Sequence, residues 1–384
     1  MLKRVLAVCA AAAVTVATFA VAQEARRAHP DVYVVKRGDT LWDIAATFLQ
    51  KPWLWPEIWQ ANPQIENPHL IYPGDRISLA YLNGQPQARI DPGPRTEPVI
   101  DAVPLSEIEP FLRKLSVVDS IEGLPYVVGL EEDRLRSAAG QVAYVRGLPD
   151  AQPGQMYSIV RPTQRYTRAE RKAGGSFMLR SNDLDFRGDE FARNWSAIWH
   201  DVNYGKNREA LGIELMHLTS AQVTRGEGGG IEASTLVLLD EGREVRIGDR
   251  IVPLDPQPFD LQFFPHAPGP EVVEAAYGKF QVLAVADGMF GAGPRQVVAL
   301  SAGSADGIDN GTVFSLWRIG SMQADGVSHS NPLAADNDRV RLPDEYAGTV
   351  MVFRTFDTVS YGLIMDSIKQ VEVGYVLKHP DATR

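Results

Sequence analysis

The chain has 384 residues, 45% hydrophobic and 22% charged, which suits two or three packed domains and excludes a disordered, fibrous or polytopic protein. Its 38 Lys and Arg against 48 Asp and Glu give a net charge of -10, which argues against nucleic acid as a partner because phosphate binding needs clustered positive charge. The only cysteine, Cys9, lies so near the start that the rest of the chain has no disulfide, thiol nucleophile or thiolate metal site.

The first residues account for that cysteine. Lys3 and Arg4 are followed by an uncharged run from Val5 to Ala22, and Ala20-Val21-Ala22 fits a small-residue cleavage site before Gln23. Residues 1–22 therefore read as a signal peptide. The alternative is an uncleaved anchor, and the chain is expected to meet a membrane only in that case.

The next segment specifies its elements locally. Tyr33 to Lys36 has strand character, and Gly38-Asp39 is a turn. Thr40 can cap a helix with Asp43 at the third position, and Leu41, Ile44, Ala45 and Phe48 share one helical face. Pro56 opens a second helix in WPEIWQANP, which Pro63 ends after Asn62. A second strand follows over Arg76 to Ala80.

Three runs, YVVKRGDTLWDIA from Tyr33, IWQANP from Ile58 and IYPGDRISL from Ile71, resemble a LysM domain in content and order over residues 32–80. The resemblance implies a small α+β module of βααβ type that binds polymers containing N-acetylglucosamine, chiefly peptidoglycan. The extra LQKPWLWP stretch makes it a long variant, resembling LysM-containing peptidoglycan-binding envelope proteins of Gram-negative bacteria. The resemblance implies glycan strands of peptidoglycan as the partner and carries over no activity, since those proteins are uncharacterised, and the signal peptide implies a periplasmic location.

The resemblance also places the sugar between two loops. The first supplies Gly38, Asp39, Thr40 and Leu41, and the second Asn62, Pro63, Ile65, Leu70, Ile71 and Tyr72. Two facing loops can meet an N-acetyl group with backbone hydrogen bonds and a small apolar contact. Each of these residues has a structural reading as well: Asp39 and Thr40 as helix caps, Asn62 as a helix end, Ile71 as core. Of Trp42, Trp53, Trp55 and Trp59, one at most is expected to stack on sugar, with Trp53 or Trp55 the candidates.

Residues 83–104, NGQPQARIDPGPRTEPVIDAVP, read as a proline-rich, extended and exposed linker. A helix is expected over Ser106 to Val117, with Ile108, Phe111, Leu112 and Leu115 on one face. Beyond it the chain is β-rich and reads as two duplicated small barrels or sandwiches, at residues 105–262 and 263–384. QVAYVRGLPDAQPGQMYSIVR from Gln141 matches QVVALSAGSADGIDNGTVFSLWR from Gln296, pairing Gly154 with Gly311, Ser158 with Ser315 and Arg161 with Arg318. Further on, Gly212 pairs with Gly348, Val223 with Val359, Gly226 with Gly362, and VRIGDRI from Val245 lies over the segment around Gly374. An insert over Pro162 to Leu211 carries Arg165, Arg168, Arg171, Lys172 and Arg180 and reads as a solvated loop.

Catalytic signatures are missing. The seven histidines form no H-x-H or H-E-x-x-H pair, and there is no G-x-S-x-G or S-x-x-K motif. Asp183-Leu184-Asp185 begins like a calcium loop, but Arg187 and Asn194 stand where oxygen ligands are needed. His200 beside Asp201 reads as a satisfied histidine. The expectation is therefore no catalytic residue, metal or cofactor. It is a non-catalytic binder whose residues 105–384 act as an interaction or scaffold module for an envelope protein. The alternative is a cell-wall hydrolase with an unrecognised active site in those residues.

Overall fold

The computed structural model describes residues 30, 32–56, 71–82, 85–93, 105–167, 199–201, 210–240, 242–254, 264–269, 272, 278–286, 291–324 and 339–382. The expected signal peptide, Asn62, Pro63, Ile65, Leu70, the second helix beyond Pro56 and the Asp183 loop lie outside these residues. The chain forms two compact units. One comprises the residues up to Glu107 with Asp260–Ala267 and Asn310–Val313, and the other comprises the remainder.

In the first unit, β1 (Tyr33–Val34), β2 (Arg76–Leu82) and β3 (Gln85–Asp91) form an antiparallel sheet in the order β1-β2-β3. Helix α1 (Leu41–Phe48) starts where the sequence predicts: Thr40 and Asp43 form the reciprocal capping box, and Leu41, Ile44, Ala45 and Phe48 are buried. A short 3-10 turn follows at Pro52–Leu54. Val35, Leu49, Trp55, Ile71, Ile77, Leu79 and Ala88 complete the core.

Strand β3 corrects the linker expectation. Seven residues of the supposed linker pair with β2, from Arg76 opposite Asp91 to Leu82 opposite Gln85. Ala88 is only 2% exposed and Ile90 packs on the same core. Proline did not prevent this because β3 is an edge strand, where Pro86 need not donate to a further neighbour.

The second unit is β-rich. Helix α2 (Leu105–Lys114) ends earlier than expected, and the next residues form strand β4 (Leu115–Val118) on β9 (Ala210–Arg225). The β-branched pair Val117-Val118 suits a strand, and the long β9 offers it an edge. Ile108, Phe111 and Leu112 are buried as predicted.

Six strands of this unit are β5 (Tyr126–Leu130), β6 (Val142–Arg146), β7 (Met156–Thr167), β9, β10 (Ser234–Leu238) and β11 (Arg250–Pro253). Their pairing runs β5-β6-β10-β9-β7-β11 and returns to β5, so hydrogen bonding closes into a circuit. The expected insert therefore begins later than Pro162, because β7 continues to Thr167.

A second group contains β12 (Val282–Ala286), β13 (Val297–Leu300), β14 (Val313–Arg318), β17 (Glu345–Thr355), β18 (Ser360–Ser367) and β19 (Val376–Lys378). It runs β12-β13-β18-β17-β14-β19, and a Gln281–Val376 bridge returns β19 to β12. A separate two-stranded ribbon joins β15 (Met322–Ala324) to β16 (Arg339–Arg341).

Several main-chain bonds of the two circuits correspond. Val127 donates its N–H to Asp249 O and accepts from Gly248 N–H through its carbonyl; Val282 does the same with Tyr375 and Gly374, all at 2.8 Å. Ser137 exchanges both bonds with Val245, as Ala292 does with Val371. Gln141 and Gln296 each accept a backbone N–H three residues upstream through side-chain Oε1, at 2.8 and 2.6 Å. Both first strands carry a register shift at the same step, Val127/Gly129 and Val282/Ala284. Three sequence pairings are corrected: Val223 lies opposite Leu236 and Val352 opposite Gly362, so Val352 occupies the position of Val223, and Gly348, Val359 and Gly362 are out of step with Gly212, Val223 and Gly226.

Both circuits fall in one compact unit, the last strand of the first ending at Pro253 and the first strand of the second beginning at Val282. Strand β8 (Trp199–Asp201), from the connection between β7 and β9, pairs with β12 of the second circuit. Arg354 of β17 donates to the carbonyls of Phe111, at 2.7 Å, and Leu112, where a cation complements the C-terminal end of α2. Most tellingly, the buried Glu214 carboxyl accepts from Thr163 Oγ1 (2.6 Å), Tyr166 OH (2.6 Å) and, across from the second circuit, Tyr361 OH (2.9 Å). Burial first, and Glu214 next, push both tyrosine hydroxyls well above their ordinary range, so they stay protonated donors.

Two measurements follow. Ala88→Asp should destabilise the first unit by on the order of 3 kcal/mol by burying an unpaired charge, read as earlier loss of tryptophan fluorescence in urea. Glu214→Gln should cost on the order of 3 kcal/mol in the second unit, because an amide N–H₂ would face two hydroxyl donors, and the loss should appear as a lower urea midpoint of β-sheet circular dichroism.

Candidate glycan-binding site

The first unit brings together the turn after β1 and the turn before β2. Val35 N–H donates to Asp75 O and Gly74 N–H donates to Val35 O, both at 2.8 Å, fastening one turn to the other. Gly38 holds φ at +86°, a left-handed conformation that admits glycine without strain, and it is exposed. Pro73-Gly74 closes the opposite turn, with Asp75 N–H donating to Tyr72 O at 3.0 Å.

The predicted residues divide by role. Asp39 is half-buried, and its carboxylate accepts from Lys36 N–H (2.8 Å) and Tyr33 OH (2.9 Å). Burial, then the Asp39 hydrogen bond and charge, push the Tyr33 hydroxyl up to about 12. Thr40 is buried in the capping box, and Leu41 and Ile71 are buried in the core, so these three face inward. Tyr72 is half-buried beside the second turn. Gly38, Asp39 and Tyr72 are thus the described candidates that keep exposure.

Trp53 and Trp55 are not stacking platforms. Trp55 is 1% exposed within the core and lies 6.4 Å from the Phe264 ring of the same unit, while Trp53 packs 6.5 Å from Trp42. A module this small needs its large aromatics inside.

Sequence reasoning missed Asp75. Its buried carboxylate accepts from Tyr72 N–H (3.0 Å) and Gly93 N–H (2.7 Å), so it sets the second turn and ties down the chain leaving β3. An aspartate after Pro-Gly is itself a turn signal, but its long-range partner has none.

Family comparison agrees with this geometry: residues 33–80 match the family model of the LysM domain. The segment is a glycan-binding module of the peptidoglycan- and chitin-binding class. The chain contains a LysM domain at its N-terminal end. One curated relative, the uncharacterised protein YqbP of Bacillus subtilis (strain 168), is 35% identical over 63 residues, which is 14% of this chain and 29% of that protein.

In the β-rich unit, Ser158 Oγ lies 2.6 Å from His217 Nδ1. Burial lowers the His217 value below 6.5, opposed by the Asp240 charge, so the ring is neutral at pH 7. Ser158 is buried, and the Asp240 carboxylate is bound by Ser220 N–H at 2.9 Å. The corresponding positions of the second circuit, Ser315, Tyr346 and Asp366, also serve the sheet: Ser315 donates to His379 O at 2.7 Å and Tyr346 OH donates to Asp366 at 3.3 Å. Among the described residues no group of three metal-ligating side chains exists, and no helix is long and apolar enough to cross a membrane.

The depressed His217 value has a signed consequence. The unfolded chain binds this proton more readily, so stability from this position is complete above about pH 6.5 and falls as pH drops through the folded value. Imidazole NMR should place the His217 midpoint below the ordinary value, and His217→Phe should flatten the decline in urea stability between about pH 7 and 5.

Proposed function

We propose that this chain is a non-catalytic envelope protein that binds peptidoglycan glycan strands through the groove between the two fastened turns of its LysM domain. The observation that carries this reading is the pair of 2.8 Å bonds between Val35 and Gly74-Asp75, which hold both walls in fixed register. With Thr40, Leu41 and Ile71 turned inward, the groove meets sugar chiefly through backbone groups near Gly38 and Tyr72. Backbone donors and acceptors suit the amide of an N-acetyl group.

In this reading residues 1–22 are a signal peptide, the location is periplasmic, and the sequence belongs with Gram-negative envelope proteins. Residues 105–384 serve as an interaction or scaffold module made by duplication of a six-stranded barrel; the shared strand order and matching bonds support that origin. One shallow groove binds weakly, so a second contact through this module would raise retention on the wall.

Sedimentation with purified sacculi tests the proposal. The full chain should pellet, and Gly38→Val, which forces a β-branched residue into a left-handed turn, should weaken pelleting about tenfold while leaving the unfolding of the second unit unchanged. Release of soluble muropeptides by the full chain would overturn the non-catalytic reading in favour of a wall hydrolase.

A further inference from the structure

The two circuits differ at one edge. In the second, β12 bonds with β19 through its first residues, and its last three, Ala284, Val285 and Ala286, are covered by β8. The corresponding strand of the first circuit, β5, bonds with β11 only around Tyr126 and Val127, and the positions matching Ala284 and Val285 are Gly129 and Leu130. Among the described residues no strand covers these positions on the side away from β6.

We propose that this edge of β5 is a strand-docking site, filled by an extended segment of another protein in the way that β8 fills the edge of β12. Main-chain bonding to a sheet edge supplies affinity, and alternate side chains supply selectivity. The side chains beside this edge are apolar and open: Val128 is 42% exposed, Ile247 49% and Leu135 87%. Ser137 bridges Val245, so the strand direction brings Leu135 alongside Ile247. The turn carrying Leu135 holds Glu132 and Asp133 at φ values of 57° and 53°, a conformation that non-glycine residues rarely adopt. The nearby Arg134 and Arg136 are already paired with Glu132 and Glu244, both at 2.6 Å, so the surface favours a partner strand of low net charge that, like the β8 segment, carries apolar residues.

This inference rests on reading residues 105–384 as an interaction module and is independent of glycan binding. The test uses hydrogen–deuterium exchange of the full chain, with a synthetic peptide that includes β8 and its sequence neighbours, SAIWHDVN (residues 196–203), as the strand probe. In the free protein, residues 128–131 should exchange faster than 283–286. The peptide at about 1 mM should slow exchange at 126–131, and Leu135→Glu or Val128→Glu, both at exposed positions, should weaken its binding about tenfold with circular dichroism unchanged.

Slow exchange at 128–131 in the free chain, or no protection by the peptide, overturns the proposal. Protection at a different edge also overturns it, while leaving the interaction-module reading standing. A dimer in sedimentation that Leu135→Glu dissolves overturns it in favour of a second copy as the occupant.

Discussion

A sheet edge exposes main-chain N–H and C=O groups that must find partners or water, and this requirement organises the whole chain. The LysM sheet covers the free side of β2 with β3. Each six-stranded group of the β-rich unit closes on itself, through β11 to β5 and through β19 to β12. Where closure is incomplete, a short strand is borrowed: β4 on β9 and β8 on β12. Because β8 arises from the connection within the first circuit, satisfying an edge also binds the two circuits together.

Buried polar groups then fix how the circuits meet. Glu214 alone would be costly to bury, but three hydroxyl donors converge on it, from β7 and from β18. Hydrophobic packing tolerates small shifts, whereas this arrangement requires Tyr166 and Tyr361 to arrive at one oxygen. Arg354, the strand partner of Tyr361, adds a comparable constraint beside it by reaching the last carbonyls of α2.

Much of the LysM domain was legible because its signals are local. Thr40 with Asp43 specifies a helix start, and the spacing of Leu41, Ile44 and Phe48 specifies its buried face. Strand β3 was hidden by Pro86 and the prolines that follow the strand, although Asn83-Gly84, the residues connecting Leu82 to Gln85, is the strongest short hairpin signal in the segment. The end of α2 at Lys114 and the register of β9 depend on tertiary partners, which periodicity does not report. The groove was legible only as positions: that Ile71 and Leu41 turn inward while Gly38 stays open follows from packing. Nothing local in Glu214, Tyr166 or Tyr361 announces their meeting, for they are far apart in the chain.

The hydrogen bond from Gly93 to Asp75 gives the domain a boundary different from that of its family match. Asp75 stands directly behind the second wall of the groove, so any pull along the backbone leaving Gly93 is borne first by that carboxylate and then by Tyr72. Here that path runs into the turn before β2, so tension along the chain and the shape of the turn share a single buried side chain.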